Sequence, residues 1–192
     1  MKKNITKSFF NRDTKKVAQE LLGKFLIREY NDKYYIGIIT ETEAYCGPND
    51  LASHASRGKT PRTEIMFGPP GHIYIYLIYG MYYCLNIVTE KNNYPAAVLI
   101  RSIQAFKPIK VISSSINFKN LKPLDYKITN GPGKLCKYFY IDKNLNKKSL
   151  AVPYLWIKDS NIKVKKIKKL PRIGVDYAGC YAKKPWRYQA AL

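Results

Sequence analysis

The most regular pattern of apolar and polar positions lies between Met66 and Val88, MFGPPGHIYIYLIYGMYYCLNIV. A Gly-Pro-Pro-Gly turn, Gly68 to Gly71, is followed by alternating aromatic and aliphatic residues, Ile73, Tyr74, Ile75, Tyr76, Leu77 and Ile78. The pattern resumes at Tyr82, Tyr83, Cys84, Leu85 and Asn86, beyond Tyr79-Gly80-Met81. Such alternation predicts strands, and the glycine between them predicts a hairpin with Tyr79 at its tip. An aromatic residue there is not needed for a core. It suits either a wedge between stacked bases or a surplus tyrosine of a β-sheet.

The same reading extends along the chain. Asp13 or Thr14 caps a short helix with Val17, Ala18, Leu21 and Leu22 on one face, and Gly23 ends it. Phe25–Ile27 and Tyr34–Glu43 predict strands joined by a turn at Asn31-Asp32-Lys33. Glu41 and Glu43, two positions apart on the second strand, share one face. Leu51–Arg57 predicts a short helix carrying His54, and the basic loop Gly58–Thr63 suits phosphate contact through Lys59 and Arg62. Ala96–Ile103 is an apolar strand interrupted by Arg101, a costly charge unless paired, for which Glu43 or Glu41 is the natural partner.

Farther on, Lys107–Tyr126 is irregular. Asn130-Gly131-Pro132-Gly133-Lys134 feeds a helix through Leu135 to Phe139, and its free N-terminal amides suit a phosphate. Tyr154–Ile157 and Ile162–Ile167 predict strands around a turn at Asp159–Asn161, and Pro171–Tyr188 mixes Gly, Tyr and basic residues without a predicted element. No internal repeat, heptad or linker divides the chain. The expectation is therefore one domain over residues 1–192, with residues 1–8 a flexible basic N-terminus.

Charge narrows the partners. Against 34 Lys and Arg stand 13 Asp and Glu, a formal net charge of +21. That excess favours a polyanion, either nucleic acid or an anionic membrane surface, although lysine runs such as Lys163–Lys169 also serve as a solvated face. The 4 cysteines, Cys46, Cys84, Cys136 and Cys180, form no CxxC pair, so neither a zinc ribbon nor a disulfide scaffold is expected, and free thiols fit a reducing interior. With 2 histidines, His54 and His72, no metal site is expected. No signal peptide or membrane span is visible, and the expected location is soluble and intracellular, with the DNA.

Glu43, Tyr45, His54, Tyr76, Tyr79, Asn86 and Arg101 form the candidate site. A carboxylate beside an arginine suits the activation of water. Tyrosines and a histidine suit the faces of a flat ring, and the basic surface suits a phosphate backbone. Taken singly, each also has a structural role: a core tyrosine, a satisfied histidine, an ion pair. Together they point to hydrolysis or modification of a base, which in a duplex requires flipping.

Several ordered blocks carry a closer likeness. ETEAY (Glu41–Tyr45), SHASRGKTPR (Ser53–Arg62), the Met66–Ile87 stretch, VLIRS (Val98–Ser102), GPGKLC (Gly131–Cys136) and PRIGVDYAG (Pro171–Gly179) resemble the alkyladenine, or 3-methylpurine, DNA glycosylase family. The resemblance implies an α+β fold, a single mixed domain around a curved antiparallel β-sheet with a protruding, DNA-intercalating β-hairpin. It implies an enzyme of base excision repair that acts on duplex DNA and removes alkylated or deaminated purines. No lysine stands out as a Schiff-base nucleophile, so a monofunctional enzyme is expected, acting as a monomer without a metal or cofactor. Carried onto this sequence, Glu43 is the base that activates water and Arg101 helps to hold that water. Tyr45, His54 and Tyr76 are pocket walls, and Asn86 is a gate against guanine. Tyr79 is the wedge, Met66 packs at the lesion, and Arg62 and Lys59 touch the DNA. A non-catalytic DNA-binding module on the same scaffold is the alternative. A membrane-surface protein would need an amphipathic basic helix, and the sequence offers none.

Overall fold

A computed structural model describes residues 4–111, 116–151, 153–159 and 161–191. Residues 1–3 of the expected flexible terminus, 112–115 of the irregular stretch and Ser160 of the expected turn lie outside the described residues. The chain begins with α1 (Lys7–Phe10) and α2 (Thr14–Glu20). Asp13 caps α2, its carboxylate accepting from the Lys16 amide, and Gly23 leaves the helix at φ +80°. The Ile5 amide donates to the Ile157 carbonyl, so this end of the chain runs beside the sheet.

The fold is α+β, built on a curled antiparallel sheet whose long central strand is β2 (Lys33–Cys46). β1 (Phe25–Tyr30) pairs with the first part of β2 through a turn at Asn31 and Asp32, both at positive φ, as a tight hairpin requires. On the other side β2 pairs with β5 (Ala96–Ala105) from Gly37 to Cys46. β4 (Tyr82–Val88) and β3 (Ile73–Ile78) extend the sheet beyond β5, and β7 (Leu155–Lys158) closes the far edge against β1. The two-residue β6 (Ile109–Lys110) pairs with the start of β2.

Near Glu41 the strand changes partners. The β2–β5 register slips on both sides of Glu41, a bulge that bends the strand. Past it, β9 (Arg187–Ala191) takes the edge that β1 has left, pairing Glu41 with Gln189 and Glu43 with Arg187. β8 (Lys166–Leu170) then pairs with β9. The expected strand Ile162–Ile167 is thus displaced toward Leu170, because its register is set by β9 while Ile162 and Val164 pack over Gly23.

Both faces of the sheet are covered. The main core joins Val17, Leu21, Ile39, Ile100, Leu135 and Phe139, with α2 and α3 (Pro132–Tyr138) laid on the sheet. A second cluster of Phe25, Ile27, Ile36 and Trp156 lies under Phe106, Ile109 and Phe118, so part of the irregular stretch serves as an apolar cover. The hairpin of β3 and β4 is buried at its base and exposed toward its tip. Tyr79 is 84% exposed and sits at φ +50°, followed by Gly80 at φ +68°. Leu77, Met81 and Tyr82 are exposed beside it, an apolar cluster that a folded chain rarely leaves in water without use for it.

Candidate active site

β2 delivers Glu41, Glu43 and Tyr45 to one place by its period of two, carried through the bulge. Glu43 is wholly buried. Its Oε1 accepts from the Ile173 amide at 3.0 Å, and its Oε2 accepts from the Tyr45 hydroxyl at 2.8 Å. Arg101 comes from β5 and lies between the two acids, with Nη1 3.4 Å from Glu43 Oε1 and Nε 3.4 Å from Glu41 Oε1. Arg187 secures Glu41 from the other side at 2.7 Å, and the Ser102 hydroxyl donates to Glu41 Oε2 at 3.1 Å. The pairing expected for Arg101 is met by both glutamates. Its buried Nε faces Glu41 without making a hydrogen bond among the described residues.

Burial pushes the Glu43 carboxyl above the usual carboxylate range, opposed by Arg101 and by the Ile173 and Tyr45 donors. Burial, then the neighbouring Glu43 charge, pushes the Tyr45 hydroxyl well up, so it stays a proton donor to that carboxylate.

In front of these groups a cavity of about 240 Å³ opens, lined among others by Tyr45, His54, Tyr76, Asn86 and Arg101. The hairpin supplies one wall because alternate residues of β3 and β4 face the same way: Tyr74, Tyr76, Cys84 and Asn86 line it together. Asn86 is buried, its amide donating to the Tyr74 and Cys84 carbonyls, which fixes the side chain. His54 meets Tyr76 edge to face, with ring centroids 4.6 Å apart. Its Nδ1 shares a hydrogen bond of 2.9 Å with the Tyr74 hydroxyl. Burial and then Arg62 lower the His54 imidazole to about 4, so it is neutral at physiological pH. The expected Leu51–Arg57 helix is a single 3-10 turn, His54–Arg57. Asp50 captures the Cys46 and Ala52 amides and Ser53 captures the Ala55 amide, which holds the preceding residues as a loop.

Of the other sequence candidates, Met66 is buried and lines the cavity, and Tyr79 reaches its rim from the hairpin tip. Arg62 lies 5.4 Å over the Tyr76 ring and lines an adjoining cavity with Arg57, Thr60 and Thr63. Lys59 stays on the exposed loop, outside both linings. Sequence reasoning missed the C-terminal wall. Ile173, Gly174, Val175 and Tyr177 line the cavity, and the Tyr177 hydroxyl donates to the Ala52 carbonyl. No alternation marks that segment, but its position within the PRIGVDYAG block was a signal for it. Among the described residues, no cluster of His, Cys, Asp and Glu is placed to hold a metal ion, and no helix is long and apolar enough to cross a membrane.

The chain has counterparts among known proteins. Residues 8–191 match the pattern of the methylpurine-DNA glycosylase (MPG) family, and the chain belongs to that family. A relative from Methanocella arvoryzae is 50% identical over 187 residues, spanning 96% of this chain and 90% of its own length. One from Sodalis glossinidius is 45% identical over 97% of this chain and 96% of its own, and one from Myxococcus xanthus is 41% identical over 95% and 88%. All three carry the provisional name 3-methyladenine DNA glycosylase.

Proposed function

We propose that this chain is a monofunctional DNA glycosylase of base excision repair. It flips alkylated or deaminated purines out of duplex DNA and hydrolyses the N-glycosidic bond with a water activated by Glu43. The observation that carries the reading is the buried Glu43 carboxylate, ion-paired to Arg101 behind a cavity walled by Tyr45, His54 and Tyr76. Family membership supports the same conclusion.

Each carboxylate oxygen of Glu43 accepts one protein hydrogen bond and keeps a lone pair for a water proton. Arg101, which lines the cavity and sets Nη1 3.4 Å from Glu43 Oε1, is placed to hold the same water. Glu43 takes a proton from the water as its oxygen bonds to the sugar carbon and the bond to the purine nitrogen breaks. For a cationic N-alkylated purine the breaking bond's electron pair neutralises the base, which leaves without a proton. The oxocarbenium-like sugar is stabilised by the nearby carboxylate. Aromatic faces attract the cationic base at about 0.5–2 kcal/mol per contact.

In this account Asn86 crowds the exocyclic amine of guanine, and its two carbonyl partners hold it in place. Tyr79 fills the gap left by the flipped nucleotide, Met66 packs at the lesion, and Arg62 and Lys59 meet phosphates. The protein acts inside the cell on damaged duplex DNA, as a monomer forming a single domain and without metal or cofactor. Among the described residues no lysine lines the cavity, which supports hydrolysis over an amine-linked intermediate. The test is incubation with methylated duplex DNA. Free base should be released while the strand stays intact until hot alkali, and borohydride should trap no protein–DNA adduct. A trapped adduct or direct strand cleavage would refute the monofunctional assignment.

A further inference from the structure

One buried ion pair stands outside the machinery assigned above. The side chains of Arg172 and Asp50, 122 residues apart, are closed to solvent and form a bidentate pair, with Nη1–Oδ2 at 2.5 Å and Nη2–Oδ1 at 2.8 Å. Arg172 also donates to the carbonyls of Ala44 (2.9 Å) and Tyr181 (3.3 Å). Asp50 also accepts from the amides of Cys46 (3.0 Å) and Ala52 (3.2 Å). The pair therefore ties together the end of β2, the loop leading to His54 and the C-terminal segment.

Each of those segments presents a part of the site. Ala44 stands between Glu43 and Tyr45. Ala52 lies two residues before His54. Ile173, next to Arg172, gives its amide to Glu43 Oε1. The Arg172 guanidinium also lies 4.7 Å over the Tyr45 ring. A buried ion pair is weak evidence for stability, because an apolar pair of similar volume often serves as well. What calls for a role is its hold on the backbone of Ala44, next to Glu43, and its place beside Ile173, whose amide reaches the carboxylate.

We infer that Asp50 and Arg172 are a positioning pair that holds the Ile173 amide on Glu43 and the Tyr45 ring beside it, and so sets the proton affinity and aim of that carboxylate. The inference rests on Glu43 acting as the general base. Freeing residue 172 lets the Ile173 amide swing away. Glu43 then loses a donor that favours its charged form, and it protonates more readily.

The test compares wild type, Arg172→Lys and the double variant Asp50→Asn/Arg172→Met in single-turnover base release across pH, using an ethenoadenine duplex. The double variant leaves no uncompensated buried charge, so it carries the test if Arg172→Lys does not fold. With folded enzyme in saturating excess over the DNA, the rate constant does not depend on how much of a variant is folded. The expected result is an acid limb displaced to higher pH by about one unit and a maximal rate at least about tenfold lower. Half-saturating DNA should be little changed, and Arg172→Lys should fall between the other two. Variants that melt earlier but keep the wild-type acid limb would overturn the inference. A second readout needs no activity: the Glu43 carboxyl carbon is titrated by NMR without DNA. A displaced midpoint in the double variant, with a wild type that releases no base, would refute the proposed function and sustain the positioning pair. An undisplaced midpoint would refute the pair whatever the activity.

Discussion

Replacing Tyr79 with glycine separates what this residue does for the fold from what it does for DNA. Tyr79 sits at φ +50° and is 84% exposed. A left-handed conformation costs an L-residue about 1–2 kcal/mol, which glycine relieves, less about 0.5–1 kcal/mol for the greater freedom of glycine in the unfolded chain. About a sixth of the ring is covered, so its loss forfeits roughly 0.6–1 kcal/mol of apolar burial. These terms cancel to within about 1 kcal/mol, and Tm should move by no more than about 4 °C. Stacking of an aromatic ring on a base contributes about 1–3 kcal/mol, so release from duplex DNA should fall about 5- to 150-fold. The assay pairs thermal melting with single-turnover release from duplex and from single-stranded DNA carrying the same lesion. The single strand has no stack to enter, so its loss should be much smaller. A large fall in Tm would show that the tip supports the fold, and an unchanged duplex rate would remove the wedge.

Burial holds the Glu43 carboxyl above its unfolded value, so its contribution to stability is present below the ordinary carboxylate range and is lost as pH rises through the raised value. Glu43→Gln should therefore melt higher than wild type at pH 8, with the difference shrinking on acidification; a lower Tm at pH 8 would contradict this. His54 is lowered from 6.5 to about 4, so its contribution is present above 6.5 and is lost as pH falls toward 4. An NMR titration should find the imidazole neutral at pH 6, and a midpoint near 6.5 would overturn that environment. A methyl group on Gly133 would lie 2.8 Å from the Tyr82 ring, so Gly133→Ala should cost about 1–3 kcal/mol by pushing α3 off the hairpin. Urea unfolding measures that cost, and an unchanged midpoint would show that the hairpin yields freely.

The parts of the fold legible in the sequence are those whose neighbours are local. Asn31-Asp32 and Tyr79-Gly80 announce their hairpins by turn chemistry, and the alternation from Ile73 to Asn86 places one row of residues in the cavity wall. Arg101 pointed to a glutamate because a lone charge in an apolar strand needs a partner. β8 was misplaced because Lys166 to Leu170 carries little apolar alternation, and β9 was missed because Arg187 to Ala191 reads as a tail. Both are strands by virtue of the edge that β2 offers past its bulge. Arg172 looked like one more basic residue, since nothing local ties it to Asp50. The cover over Phe25 and Trp156 was equally hidden, because its apolar residues follow no strand or helix period.

The central claim is that Glu43 activates water for hydrolysis of a flipped purine nucleotide. The most direct test is single-turnover base release by wild type and Glu43→Gln, from a duplex with one ethenoadenine or hypoxanthine and from methylated DNA. Release by wild type, with near-complete loss in Glu43→Gln and DNA binding retained, is the predicted result. Binding of every substrate with no release by wild type, or equal release by both proteins, would contradict it.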